Sequence, residues 1–266
     1  MKIAIIGTGN LGKSMAKGLI LNNAITTLYL SCRHTQNIKQ FEGYKDVKIT
    51  SDNRKAVKRS DILIFSVQPD QLGPIMEEIA GKLTDKHVII STVSGVTNEE
   101  IASIIGEHRY IIRAMPNTAI SVGKSMTCLT SNKPGEERIK IAQAIFNRLG
   151  ESVIIDEADM QAATVICASG IAFWMRLIRA TTQAAIQLGF EASKAQQLAT
   201  FTCEGAAKLL IESGHHPEQE IDKVTTPKGC TIEGLNTMEH LGLSSALIKG
   251  MVSSYKKIEA FKTINL

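Results

Sequence analysis

The chain reads as an α/β protein, with a doubly wound sheet over residues 1–157 followed by an all-helical segment over residues 158–266. Three features carry that reading. Strand-like and helix-like segments alternate up to about residue 155, a glycine-rich turn follows the first strand directly, and strand-like alternation disappears after about residue 159.

In chain order, residues 3–6 are a continuous apolar run, the pattern of a strand covered on both faces. Residues 10–21 have helical spacing, and residues 28–30 read as a second strand. Residues 61–65 make a third, ending at Gln68-Pro69, and residues 87–90 and 110–112 make two more. Helices over 71–80 and 98–104 lie between them, so the sheet is expected to be parallel with helices on both faces. Residues 126–129 and 153–155 look like added strands flanking a helix over 136–149. Beyond them, residues 161–188, 193–212 and 244–261 fit helices, and no Pro/Gly/Ser linker separates the two parts.

Between Gln161 and Phe190 the only charges are Arg176 and Arg179. A helix apolar nearly all round must be covered on most sides. A segment of about 110 residues cannot easily bury it alone, so a second copy of the chain is the expected cover. Burial against the first domain is the alternative. The uncharged stretch 162–175 is short for a membrane span and runs into Arg176, which favours a buried helix.

The 266 residues are 44% hydrophobic and 21% charged, as in an ordinary globular protein. A net charge of +4, spread along the chain, suits an anionic small molecule and is too weak and dispersed for nucleic acid. The five cysteines form no CxxC pair and read as reduced thiols of a cytoplasmic protein. The N-terminus runs straight into a strand pattern, so no signal peptide is expected. No metal is expected either: His215 and His216 are adjacent, lack a ligand cluster, and with Pro217 suit the start of a helix.

Gly7-Thr8-Gly9-Asn10-Leu11-Gly12 is a GxGxxG directly after the strand that ends at Ile6. Gly7 permits the tight turn, Gly9 lets the backbone approach a pyrophosphate, and Gly12 allows close helix–strand packing. The helix then presents free N–H groups to the phosphates, which makes the domain a Rossmann-type dinucleotide-binding unit. An NAD site would show a carboxylate near the end of the second strand, but here the segment is Ser31-Cys32-Arg33-His34-Thr35. Arg33 can pair with a 2′-phosphate and the hydroxyls can donate to it, so NADPH is the expected cofactor and NADH a weaker one. A solvated loop arginine is the alternative for Arg33.

Val224-Thr225-Thr226-Pro227-Lys228-Gly229-Cys230-Thr231-Ile232-Glu233-Gly234-Leu235, followed by Glu239, resembles the long motif of pyrroline-5-carboxylate reductases, approximately VTSPGGTTxxGLxxLE. Arg113-Ala114-Met115-Pro116-Asn117-Thr118, then Val122-Gly123, is similar to that family's RxMPNTP…VG segment. Ser66-Val67-Gln68-Pro69 resembles its AVKP cofactor turn, and His216-Pro217 stands at the family's distance before the long motif. Lys228 replaces a glycine, Cys230 a Thr or Ala, Gln68 a Lys and Ala119 a Pro, and Ser169-Gly170-Ile171-Ala172-Phe173 lacks the Pro of the family's SGPAY-like stretch.

The resemblance implies NADPH-dependent reduction of 1-pyrroline-5-carboxylate to L-proline, the last step of proline biosynthesis, by a homodimer joined through its helical domain, with an oligomer of such dimers left open. It implies cofactor contacts at Ile6, Gly7, Thr8, Gly9, Asn10, Leu11, Gly12, Ser31, Arg33, Asn53, Ser66, Val67, Gln68, Pro69, Ser94 and Gly95. Substrate contacts fall on Asn117, Thr226, Gly229, Cys230 and Thr231, with Thr231 as the catalytic candidate. The chemistry is coherent without the family: an imine carboxylate needs a hydride donor, an anion cradle and a polar group at its nitrogen. Backbone N–H groups of residues 226–231 and the Thr226 hydroxyl can hold the carboxylate, and the Thr231 hydroxyl can meet the ring nitrogen.

Thr231 can equally be no more than the N-cap of a helix over 232–241, and Asn117 can be ordinary turn chemistry after Pro116. Cys230 has no base beside it, and hydride transfer needs no covalent step, so a small residue in a tight loop is the expected reading. Two other functions stay open: a catalytically silent NADP-binding regulatory paralogue, and another Rossmann oxidoreductase acting on imines or hydroxyacids. Hydroxyacid oxidation usually places a Lys on the long helix, and none occurs between Glu157 and Ser193.

Overall fold

The structure, a computed structural model, describes residues 1–22 and 25–264. Among these, the strands are β1 (Lys2–Ile6), β2 (Thr27–Ser31), β3 (Val47–Thr50), β4 (Ile62–Phe65), β5 (Val88–Ser91), β6 (Tyr110–Met115), β7 (Ser125–Ser131) and β8 (Gly150–Ile154). They form one sheet in the order β3-β2-β1-β4-β5-β6-β7-β8. All neighbours pair in parallel except β6 with β7.

The strands read as a parallel sheet, β1, β2, β4, β5 and β6, do pair in parallel, and the added strand β7 departs from that pattern. The connection from Met115 to Ser125 holds only a 3-10 turn, Thr118–Val122, closed by left-handed Gly123. A parallel return needs a crossover of a dozen residues or more, so β7 can only run back beside β6. The edge strand β3 and the short helix α2 (Asn53–Lys58) are additions to the sequence reading. Helix α2 is held at its start by Asp52, whose carboxylate accepts from the Lys55 N–H at 3.0 Å.

The remaining helices of the sheet domain are α1 (Asn10–Leu21), α3 (Pro69–Ala80), α4 (Asn98–Ile105) and α5 (Ile139–Phe146). The helix expected over 136–149 is a 3-10 turn, Pro134–Glu137, followed by the shorter α5. Side chains along each strand alternate between two cores. Ile3, Ile5, Leu28, Leu30, Ile62 and Ile64 pack with Met15 and Leu19 of α1 and with Ile145 and Phe146. Ala4, Ile6, Leu63, Phe65 and Ile89 face the other way, against Met76 and Ile79 of α3 and Ile101 of α4. Two buried faces explain why the strands read as continuous apolar runs.

The C-terminal helices are α6 (Met160–Ala163), a π-helical stretch Thr164–Ser169, α7 (Gly170–Gln187), α8 (Ala192–Ser213), α9 (Pro217–Val224), α10 (Cys230–His240) and α11 (Leu243–Ile264). The chain divides into two compact units, Met1–Ser169 with the end of the chain from Tyr255, and Gly170–Ser254. In the second unit α7 and α8 pack together around Thr182, Ala195 and Ala199, each at most 5% exposed. Large apolar side chains remain uncovered: Trp174 is 55% exposed, Phe201 63%, Leu188 81% and Ile211 81%. The helical run Glu157–Gln187 is long and apolar enough to cross a membrane by length and composition, a test that the core helix of a soluble protein also passes.

Candidate active site

Strand order reverses between β1 and β4, and in such sheets the crevice at the carboxyl ends of these strands is where ligands bind. The glycine turn sits there. Gly7 has φ +91°, and a Cβ on it would strike Val67 Cγ1 and lie 2.5 Å from the Ser66 carbonyl oxygen, so no other residue fits. A Cβ on Gly12 would lie 2.6 Å from the Gly7 carbonyl oxygen. Gly9 is different: nothing lies within 4 Å of the Cβ position, and the space in front of α1 is open.

Gly9 is also the N-cap of α1, with no side chain bonded to the first-turn N–H groups and no acidic residue in that turn. Those donors and the helix dipole are left to attract an anion. Thr8 is 4% exposed, and its hydroxyl donates to the Ser31 carbonyl at 3.1 Å. The N–H groups of Gly7 and Thr8 donate to the same oxygen at 2.9 and 3.2 Å. The turn is thus tied to the end of β2. Asn10 is exposed and Leu11 half-buried, so both remain on the rim of the turn.

At the end of β2 the Ser31 hydroxyl is buried and donates to Asn53 Oδ1 at 2.7 Å, while Asn53 Nδ2 donates to Glu78 Oε2 at 3.0 Å. Ser31 therefore positions Asn53 and is not itself presented to a phosphate. Glu78, a residue the sequence reading did not single out, comes from α3 and completes this relay. Arg33 is exposed and has no partner among the described residues, as a side chain available to an external phosphate would be.

After β4, the Ser66 N–H donates to the Ile6 carbonyl at 2.8 Å, which brings the second turn against the first. Gln68 is the N-cap of α3 with no side-chain cap bond, and Pro69 occupies the first helical position. Beyond β5, the exposed Ser94 lies with its hydroxyl 3.8 Å from Met115 Sδ, and Gly95 has φ +82°. Gly95 also lines a cavity of about 220 Å³ with Thr97, Arg113, Glu157, Gln161 and Thr164. Arg113 is 5% exposed and donates to Glu157 Oε1 at 2.9 Å. Both oxygens of Glu157 accept from Asn98 as well, at 2.7 and 3.0 Å, so the start of α4 is fixed to β6.

In the second unit the substrate loop is a tight turn. The Gly229 N–H donates to the Thr226 carbonyl at 2.9 Å, Pro227 takes the second position, and Lys228 sits at φ +59°. This is the pattern of a type II turn, whose third position favours glycine. A Cβ on Gly229 would strike Thr226 Oγ1, so glycine is required there. Gly229 is the N-cap of α10, again with no side-chain cap bond. That observation corrects one alternative: Thr231 does not cap the helix but occupies its second position. Its side chain is exposed, as are those of Thr226 and Cys230, and none of the three has a side-chain partner among the described residues.

His216 is the N-cap of α9, with Pro217 first in the helix and the His216 N–H donating to Gln219 Oε1 at 3.1 Å, so the helix-start reading holds. Lys223, then His215, hold the neighbouring Glu220 carboxyl below the usual carboxylate range. No metal-ligating cluster occurs among the described residues. Asn117 has its amide engaged in the sheet domain: Oδ1 accepts from the Ala119 N–H at 3.0 Å and Nδ2 donates to the Cys167 carbonyl at 3.0 Å. One N–H and one lone pair remain for a ligand.

Residues 157–261 match the family described as pyrroline-5-carboxylate reductase dimerisation, and residues 2–95 match NADP oxidoreductase coenzyme F420-dependent. Pyrroline-5-carboxylate reductase 2 of Dictyostelium discoideum is 42% identical over 275 residues, covering 96% of this chain and 91% of that protein. Reductase 1 of the same organism is 43% identical over 277 residues, with 98% of this chain covered; the chain spans 50% of that relative's length. The crystal structure of Plasmodium falciparum pyrroline carboxylate reductase with NADP bound superposes with a TM-score of 0.89 over 98% of both chains at 24% identity, which shows a shared fold. Neither alternative function, a silent paralogue or a hydroxyacid oxidoreductase, gains support from these relatives.

Proposed function

The chain belongs to the pyrroline-5-carboxylate reductase family, and we propose that it reduces 1-pyrroline-5-carboxylate to L-proline with NADPH, as the last step of proline biosynthesis in the cytoplasm. One observation carries the assignment of ligands: two helices, α1 and α10, both begin at a glycine N-cap with no side chain spent on their first-turn N–H groups. Such helix starts are anion sites. The first suits a pyrophosphate, given the open space at Gly9. The second suits the smaller carboxylate of an imino acid, flanked by the Thr226 and Thr231 hydroxyls.

For the cofactor, Ile6 to Gly12 form the phosphate turn, Arg33 meets the 2′-phosphate, and Asn53 is aimed at the adenosine ribose by Ser31 and Glu78. Ser66, Val67, Gln68, Pro69, Ser94 and Gly95 line the path toward the nicotinamide. NADPH supplies the hydride when bound, and NADH does so less well. The chain's own residues hold the imino acid: the Gly229 N–H is spent closing the turn onto the Thr226 carbonyl, so the backbone N–H groups of Cys230 and Thr231 with the Thr226 hydroxyl take the carboxylate, and Thr231 Oγ1 orients the ring nitrogen. Asn117 keeps one donor and one acceptor for the substrate while fixing its own loop. Most of the rate then comes from positioning two reactants in a site that excludes water.

The helical domain, placed at 158–266, joins two copies into a homodimer, and an assembly of dimers is compatible with it. The uncovered Trp174, Leu188, Phe201 and Ile211 supply the apolar surface a second copy would bury. No nucleic acid or membrane enters this reading. The test is the consumption of NADPH by the purified chain with and without 1-pyrroline-5-carboxylate, with proline identified as product. Binding of NADPH without imine-dependent turnover would point to the silent paralogue.

A further inference from the structure

We propose that Cys128 and Cys167 form an oxidisable dithiol, which a hydroperoxide converts to a disulfide tying β7 to the π-helical stretch Thr164–Ser169. The two sulfurs lie 3.7 Å apart although the residues are 39 positions apart in sequence. They come from different elements, the middle of β7 and the π-helical stretch. A disulfide needs roughly 2.05 Å between sulfurs, so the approach required is under about 2 Å, shared by two side chains. Cys167 sits where the regular helical ladder is interrupted by the π-helical stretch, the kind of local irregularity often found at functional sites.

The surroundings give the two thiols unequal roles. Cys128 is 4% exposed and packs with Met115, Met160 and Ala163, while Cys167 is half-buried at the edge of that cluster. A thiolate is therefore favoured at Cys167 and disfavoured at Cys128. The hydrogen bond between them acts in the same sense. Either thiol can donate in that bond, and with the buried Cys128 S–H as donor it holds the Cys167 thiol down to about 7. The same bond, with burial, raises the Cys128 thiol far above its ordinary value. Elsewhere, burial raises the Cys32 thiol, and neither Cys203 nor Cys230 has a second thiol bonded to it among the described residues.

The chemistry balances in two steps. The Cys167 thiolate attacks one oxygen of the hydroperoxide; the O–O bond breaks, the alkoxide or hydroxide leaves and takes a proton from water, and Cys167 becomes a sulfenic acid. The Cys128 sulfur then attacks the Cys167 sulfur; the S–O bond breaks, and the departing hydroxide leaves as water with the Cys128 proton. Two thiols lose two electrons and one peroxide gains them. The Cys167 carbonyl is already held by Asn117 Nδ2, so the closed disulfide would lock the Asn117 loop, β7 and the π-helical stretch together. The bland alternative is that two cysteines serve as small apolar residues that happen to touch.

The test uses the full chain, reduced, desalted and treated with stoichiometric hydrogen peroxide. A non-reducing tryptic digest should contain peptides 125–138 and 149–176 joined, each carrying a single cysteine, at a mass lower by two hydrogens than the two together. Dithiothreitol should separate them, and the oxidised chain should melt at a higher temperature than the reduced one. Cys128→Ser should leave Cys167 as a sulfenic acid that dimedone traps, and Cys167→Ser should leave Cys128 unreacted at the same dose. The proposal is overturned if wild-type Cys167 proceeds to sulfinic or sulfonic acid without the cross-link, or if both thiols stay reduced while the exposed Cys230 reacts. None of these readouts uses catalytic activity, so they stand or fall separately from the assignment of substrate.

Discussion

Replacing Thr231 by alanine separates chemistry from architecture, because the structure removes the competing explanation. Gly229 is the N-cap of α10, and the exposed Thr231 hydroxyl bonds to nothing in the described protein. The substitution thus deletes no cap. Alanine is the better helix former, so stability should stay level or rise by about 0.5 kcal/mol. If the hydroxyl meets the ring nitrogen of the charged imine, losing a hydrogen bond to an ionised group costs about 1.5–3 kcal/mol in the transition state. At 1.36 kcal/mol per tenfold, kcat/KM should fall by about 10- to 150-fold. The assay is a set of steady-state rates against imine for wild type, Thr231→Ala and Thr231→Ser, with melting curves and NADPH titrations on the same samples. Thr231→Ser keeps the hydroxyl and should remain close to wild type. An alanine enzyme with unchanged kcat/KM and unchanged melting temperature would refute the role and leave the site to backbone donors and the Thr226 hydroxyl.

Three further substitutions have definite expected outcomes. Arg33→Ala should lose on the order of 1–3 kcal/mol in kcat/KM with NADPH and little with NADH, since Arg33 is exposed and otherwise unpaired; equal losses with both cofactors would remove the 2′-phosphate assignment. Lys228→Gly should raise the melting temperature, because a left-handed lysine at φ +59° costs about 1–2 kcal/mol, offset in part by the freer unfolded chain; a lower melting temperature would show that the lysine makes a compensating contact in the assembled protein. Phe201→Glu, at a side chain 63% exposed in the single chain, should leave helix content intact by circular dichroism but shift light scattering toward monomer. An unchanged dimer would move the interface to another face.

Local chemistry was legible in the sequence. The helix read over residues 10–21 coincides with α1, because GxGxxG marks its start and helical spacing marks its run. The edge strand β3 was not legible: Val47, Lys48, Ile49 and Thr50 form a four-residue run with only one side covered by a neighbouring strand, a signal too short to distinguish from a loop. The direction of β7 follows from a connection length, which requires both strand ends to be known before it can be read. Likewise the break at Thr164–Ser169 leaves no mark in a segment that is apolar throughout.

The candidate site divides along the same line. Glycine positions could be assigned individually, and the structure supplies the reason at each: backbone or side-chain atoms would meet a Cβ on Gly7, Gly12 and Gly229, and open space surrounds Gly9. Residues that act through a partner distant in the chain were out of reach. Ser31 reads as a hydroxyl for phosphate until Asn53 is found to hold it, and Asn53 is oriented by Glu78, 25 positions further on. Arg113 reads as part of a motif until Glu157, 44 positions away, turns it into a partly buried ion pair. Cys128 and Cys167 read as two isolated thiols until the fold brings their sulfurs to 3.7 Å. In each case the sequence carries the chemical capacity, and only long-range packing decides whether that capacity is presented to a ligand or consumed by a neighbour. Thr231 is the converse: its hydroxyl is bonded to nothing in the described protein, so packing leaves that capacity unspent, and the alanine and serine variants decide whether substrate uses it.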